Sequence, residues 1–417
     1  MNILLIHQYF LESDDPGGSR FNEMTRFWTD AGHRVTVLAG MVHYNGQKKR
    51  PEYQGRYWVR KEQQGVEVWR CHVSEAYNAN FLGRLWGYFS FVFSSVWAGF
   101  WKVKGKYDLI LVTSPPLFVG GTAWILSRWK RIPFVFEVRD LWPESAIHTG
   151  VLQNPLLIRL AYRFEQWMYR SAALVNVLTP AFRETLIHQK GIPPGKVVFI
   201  PNAADFSLSD QVLADFDRDE FRKTHGLEGK FVITYVGAHG VANHLVQVLD
   251  AAERLQDEPT VLFQLIGDGM QKQMLVREAG ARGLTNVSFI DSVPKAEVFK
   301  YIAASEWGAS ILKKVDTFKT IYSNKTFDYM ACKVPVLMVI DGVSRQLVEV
   351  ARCGVFVEPE NPAEWERTIR LLIDQPEETR TKMGASGYQY ARDHFDRHVL
   401  SNRYMQELEQ VVLIHKG

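Results

Sequence analysis

KKVDTFKTIYSNKTFDYMACKVPVLMVIDGVSRQLVE, residues Lys313 to Glu349, passes from a lysine-bearing loop into a short helix starting near Ser323 or Asn324. An apolar run, Pro335–Ile340, and a turn at Asp341-Gly342 follow. Loop, helix and buried strand form the unit from which α/β domains are wound. Ser323 or Asn324 is expected to cap the helix, so its amides and positive dipole end would lie beside Lys325 and Lys319. A terminus of that kind binds anions, phosphate foremost. Asp328, three residues after Lys325 on nearly the same face, offers acceptors to hydroxyls beside the phosphate. Cation, helix terminus and carboxylate together suit a nucleotide with its ribose. A surface helix with solvated charges would carry the same residue types.

Upstream, the same grammar recurs. Phe231–Val236 reads as a strand, Gly237-Ala-His239-Gly240 as a glycine loop and Asn243–Arg254 as a helix, again turning amides toward an anion. Leu262–Ile266 with Gly267-Asp-Gly269 and then Asn286–Val293 supply further strands and loops. The first half begins alike, with strand Asn2–Tyr9, a loop carrying Gly17-Gly18 and Arg20, helix Phe21–Ala31 and a second strand from Gly32 to Ala39. Arg20 is placed to reach an anion at that strand end; an ordinary glycine turn is the plainer alternative. Strand Pro133–Val138 runs into Arg139-Asp140-Leu-Trp142-Pro-Glu144, delivering an arginine and two carboxylates to one crevice. Asp140 could orient or deprotonate an acceptor hydroxyl, Arg139 bind an acceptor phosphate and Trp142 stack on a sugar or lipid. An arginine–carboxylate pair fixing the loop would use the same residues.

Composition narrows the class. A chain of 417 residues holds two or three domains, and 46% hydrophobic residues suffice for large cores. A formal charge of +3 does not call for nucleic acid. Three widely spaced cysteines fit a reducing compartment and give no metal-ligand pattern. No metal or cofactor is expected. The start, MNILLIHQYF, reads as a core strand rather than a leader, which places the active domains in the cytosol. His43–Arg70, basic and aromatic without helical period, reads as a flexible excursion or a solvated basic face. Leu85–Trp101, uncharged and aromatic, sits at the short end of the spanning range; interfacial membrane contact through 81–104 and a buried core helix are the competing readings.

YSNKTFDYMACKVPVL resembles the donor-binding segment of the group 1 (family 4) retaining glycosyltransferases. EVRDLWPES resembles a subgroup that builds bacterial surface polysaccharides such as O-antigen and capsule, aminodeoxyhexose transferases among them. The resemblance implies an α/β fold of GT-B type, two facing Rossmann-like domains with an interdomain cleft. It implies domains at 1–204 and 205–385, with a helical tail, 386–417, crossing back. By the same likeness Asp328 would bind the ribose and Lys325 the diphosphate. Lys319, Ser323, Asn324, Gly17, Gly18, Arg20, Gly237, His239, Asn243 and Gly267 would surround the donor, and Val293 would lie where the nucleobase is seated. With no clear enzymic nucleophile in the sequence, the leaving diphosphate, held by Lys325, would help take the acceptor proton while Asp140 and Glu144 position it; Arg139 and Trp142 would bind the acceptor. The chain departs from the family pattern at Asp328 for glutamate, Lys333 for glycine, Thr320 for a second glutamate and Arg139 for a histidine.

The implied reaction is transfer, with retention, from a nucleotide-diphosphate sugar to a lipid-linked or saccharide acceptor at the inner face of the cell membrane. UDP is the first candidate nucleotide and an N-acetylated amino sugar a candidate donor. A GT-B nucleotide-sugar epimerase and a catalytically silent nucleotide-sugar-binding subunit are the rivals.

Overall fold

The computed structural model describes residues 1–417 except 13–14, 16–19, 43–47, 79–80 and 149–151. The chain divides into two units, Met1–Pro201 with His398–Gly417, and Asn202–Arg397. Residues 386–397, read with the tail from the sequence, therefore lie in the second unit.

Unit 1 is built on strands β1 (Asn2–Ile6), β2 (Arg34–Gly40), β3 (Trp58–Gln63), β4 (Val66–Cys71), β5 (Leu109–Ser114), β6 (Phe134–Val138), β7 (Leu174–Val177) and β8 (Val197–Phe199). They lie in the order β3-β4-β2-β1-β5-β6-β7-β8, and every pairing is parallel except the β3–β4 hairpin. Runs such as Ile3–Ile6 and Leu109–Val112 are apolar without alternation because helices cover both faces of a parallel sheet. The order reverses between β1 and β5, where such sheets bind ligands outside the strand ends.

The stretch expected as a flexible excursion is instead the hairpin β3–β4 from Trp58 on, with 43–47 outside the described residues. Gln64 and Gly65, at φ +50° and +77°, make its tight turn. Buried Arg70 holds Glu12 at 2.9 Å and ties the hairpin to the loop after β1.

The aromatic run is a helix, Phe81–Trp101, with two faces. Its serines look inward: Ser94 Oγ donates to the His72 carbonyl, and Ser95 Oγ lies 3.0 Å from Thr122 Oγ1. Trp86, Phe93, Trp97 and Trp101 point out and are exposed. Among the described residues no helix is long and apolar enough to cross a membrane.

Unit 2 carries β9 (Phe231–Val236), β10 (Val261–Ile266), β11 (Val287–Ile290), β12 (Trp307–Ile311), β13 (Val336–Val339) and β14 (Gly354–Phe356). Their order is β11-β10-β9-β12-β13-β14, all parallel, reversing between β9 and β12. Both units are thus Rossmann-like.

The loops after β9 and β10 touch backbone to backbone. A Cβ on Gly267, which sits at φ +142°, would stand 2.0 Å from the Gly237 carbonyl oxygen. We expect Gly267→Ala to cost unit 2 about 3 kcal/mol or more, because neither strained backbone nor a facing carbonyl can yield cheaply. Urea titration would register this as a lower unfolding midpoint; an unchanged midpoint would show that the two loops separate freely.

Candidate functional site

The site of unit 2 is assembled at the β9–β12 reversal by one helix, Asn324–Ala331. Tyr329 fixes it there. Its hydroxyl donates to the Ala309 carbonyl at 3.0 Å and accepts from the Val236 amide at 3.2 Å, clamping the gap between β12 and β9. A Cβ on Gly308 would lie 2.3 Å from the Tyr329 ring, so a side chain there would block the helix's approach.

One turn earlier, Lys325 reaches the end of β9. Its Nζ lies 4.9 Å from the centre of the Tyr235 ring, and its Cε would stand 3.4 Å from a Cβ on Gly237. Burial lowers the Lys325 ammonium to about 8, only partly offset by Asp328. A desolvated cation with no carboxylate bonded to it is prepared for an anionic ligand. Asp328 is shifted upward by burial, against the pull of Lys295 at 3.9 Å. Lys295 in turn bonds Asp205 at 3.4 Å.

Ser323 occupies the N-cap position, but its side chain makes no capping bond. Its Oγ instead accepts from Lys325 Nζ at 3.3 Å. The expected side-chain cap is thereby corrected, because the lysine competes for the hydroxyl. Asn324 is likewise diverted, its Oδ1 accepting from Asn202 Nδ2 at 2.6 Å. Neither side chain covers the first helical amides, which leaves the terminus open to an anion.

His239 is fully buried, and neither ring nitrogen has a hydrogen-bond partner. Burial, with Lys272 nearby, lowers its imidazole to about 4, so it is neutral at physiological pH. Its ring sits 6.1 Å from Tyr235, which joins it to the Lys325 cluster, and its backbone pairs with Asp268 and Gln271 across the glycine loops. Buried polar atoms left unpaired are costly and mark a place for a ligand. Asn243 lies in the turn before helix Val246–Arg254, which begins three residues later than expected. Val293 follows β11 and packs against the core cluster that includes Phe299, Ile302 and Phe327. Lys319 stands apart from the cluster: its ammonium is half-exposed and paired with Asp316 at 3.0 Å.

In unit 1, Asp140 lies past the end of β6, where burial pushes its carboxyl up to about 6 against bonds from Ser145 and the Leu141 amide. Arg139 is beside it, its amide donating to the Ser114 carbonyl. Trp142 packs edge-on to Phe118 with ring centres 5.2 Å apart.

Two expected roles are corrected. Arg20 does not reach for an anion: it is buried, 3.2 Å from Glu137, and donates to the carbonyls of Ile200 and Pro201. Each of its three nitrogens donates inside unit 1, and two of them hold the chain after β8. Glu144 is likewise occupied, pairing with Lys190 at 2.6 Å beside Glu165, so it serves the ion pair rather than the chemistry. Gly17 and Gly18 lie outside the described residues.

Lys295, Asp205 and Tyr235 were missed from the sequence. Lys295 sits in an ordinary amphipathic helix, and Asp205 stands at the first position of the second expected domain. Among the described residues, no group of three or more His, Cys, Asp or Glu side chains is gathered that could hold a metal ion.

Two family models match the chain, a glycosyl transferase 4-like domain over residues 17–203 and glycosyl transferases group 1 over residues 217–390. The putative colanic acid biosynthesis glycosyl transferase WcaI of Escherichia coli is 28% identical over 277 residues, 65% of this chain and 67% of that protein. The probable glycosyltransferase WbjE of Pseudomonas aeruginosa is 25% identical over 274 residues, 64% of this chain and 66% of its own length. These alignments span about two thirds of each relative. The crystal structure of Anabaena HepE in complex with UDP superposes with a TM-score of 0.70 over 98% of this chain and 100% of that one, at 19% identity. At that identity the likeness bears on the fold.

Proposed function

Because the chain belongs to the group 1 glycosyltransferases, with a GT-B fold, we propose that it moves a sugar from a UDP-sugar, with retention, to a lipid-linked or saccharide acceptor of bacterial surface polysaccharide synthesis. The observation that carries this reading is Lys325: a part-buried, desolvated cation at the β9–β12 reversal, beside open helix amides and a glycine loop. The departing diphosphate needs charge stabilisation, and cation and amides held in place supply it without a metal. Asp328 takes the ribose hydroxyls, and neutral His239 donates a hydrogen bond to the donor. UDP is favoured because a protein of the same fold, HepE, has been solved with UDP and with UDP-glucose. An N-acetylated amino sugar is the first donor to try.

Asp140 is the acceptor-side base. A carboxyl near 6 is ionised at neutral pH yet basic enough to draw a proton from a hydroxyl in the transition state. The outer face of helix Phe81–Trp101 rests on the cytoplasmic membrane surface, its tryptophans at headgroup level.

The test is turnover of UDP-, GDP- and dTDP-sugars by the purified protein, with membrane lipid extract as acceptor. We expect acceptor-dependent release of UDP. Sugar isomerised without nucleotide release would replace the reading by an epimerase, and donor binding without either reaction by a silent subunit.

A further inference from the structure

Beside Trp142, unit 1 holds an apolar groove of about 420 Å³ between helices Phe81–Trp101 and Pro155–Ser171. Phe89, Phe118, Trp142, Leu157, Leu160 and Phe164 line it. Its size falls within the range of small-molecule sites, roughly 300–1,000 Å³, and of its lining residues only Tyr88 and Trp142 carry a hydrogen-bonding group, while none is charged. Leu160 is 51% exposed and Phe89 36%, so the mouth opens on the solvent side of both helices. That is also the side of the exposed tryptophans. Trp142 lines the groove three residues beyond Arg139, next to the candidate base.

The wall formed by helix Pro155–Ser171 carries exposed Arg159 and Arg163 beside the lining residues Leu157, Leu160 and Phe164. Across 81–107, 119–131 and 155–171 the only acid is Glu165, buried and paired with Lys190 at 2.6 Å. An apolar slot with arginines along one wall is complementary to a hydrocarbon chain ending in phosphate. A protein helix would bring its own polar edge, and a second copy of this face would set like charges together.

We propose that this groove takes the hydrocarbon chain of the acceptor, entering from the membrane at Phe89 and Leu160 and leaving its phosphate beside Arg139. The inference rests on the lipid-linked form of the acceptor proposed above and adds where its lipid goes. It also makes the enzyme read chain length, since the slot is finite. Each methylene entering the groove should tighten binding about fourfold until the slot is full.

The test is binding of alkyl phosphates from hexyl to hexadecyl, in monomeric solution and followed by calorimetry, to the wild type and to Leu160→Lys and Leu157→Trp. Leu160 is exposed enough for a lysine to leave the fold intact, and Leu157→Trp narrows the slot without adding charge. We expect the fourfold rise per methylene in the wild type, a plateau at shorter chains in Leu157→Trp, and loss of the rise in Leu160→Lys although the added charge favours phosphate. Affinity independent of chain length, or unchanged in both variants, would overturn the proposal. So would a concentration-dependent dimer that Leu160→Lys dissolves and alkyl phosphate does not. Turnover with a lipid-linked and a chain-free acceptor is read on the same preparations. Chain-length-dependent binding without any turnover would sink the transferase reading and leave the groove; equal turnover of both acceptors with flat binding would do the reverse.

Discussion

Lys325→Ala is expected to lower kcat by about 10²–10³, the usual cost of removing one preorganised donor to a developing negative charge. The substitution leaves the fold in place, because helix Asn324–Ala331 is anchored by Tyr329 and Lys325 makes one long bond, to Ser323. The pH dependence follows from the same environment. In the empty protein burial holds Lys325 at about 8, so its charge is lost as pH rises through that value. A diphosphate is bound by the ammonium, which must then be restored by taking up a proton. UDP affinity should therefore fall by up to about tenfold per pH unit above 8, with proton uptake on binding. Calorimetry in buffers of different ionisation heat measures both. A slope that persists in Lys325→Ala would assign the titration to another group.

Asp140→Asn should lose activity and gain stability together. As a general base the carboxylate is worth about 10²–10⁴ in rate, and the wild-type rate should fall as pH drops through about 6, where Asp140 takes up its proton. Its folded pKa is raised, so the stability linked to its protonated form is complete in acid and lost as pH rises through 6. At neutral pH the buried charge is a net cost, on the order of 2 kcal/mol, which a neutral asparagine avoids. Asp140→Asn should thus melt higher than the wild type while turning over far more slowly. A carboxylate kept for an ion pair would show the opposite, lower stability and little change in rate.

The helix at Asn324 and the placing of Lys325 and Asp328 on nearly one face of it were legible because spacing within one helix is a local property. The doubly wound sheets were legible because buried parallel strands carry unbroken apolar runs. What escaped was decided by partners far away in sequence. Arg20 looks like a ligand for anions until the Ile200 and Pro201 carbonyls arrive, and Glu144 looks catalytic until Lys190 does. The β3–β4 hairpin was hidden by its Gln64-Gly65 turn, which lacks the usual asparagine, and by charges that pair only once folded. Lys295 meets Asp328 from another helix, a contact no window of sequence contains.

Unit 1 is closed by residues that follow the whole of unit 2 in the chain. The Trp28 indole donates to the Ser401 carbonyl, Tyr404 packs on Trp28 and under Arg20, and Lys416 pairs with Asp108. During synthesis the ribosome delivers those residues only after nearly two hundred others, and until then the Trp28 indole lacks the Ser401 carbonyl it bonds in the folded unit. Unit 1 is thus completed only after the whole of unit 2 has been made. A nascent chain can complete the sheet of unit 2 before unit 1 receives its closing helix, so the unit that begins first is the second to be finished.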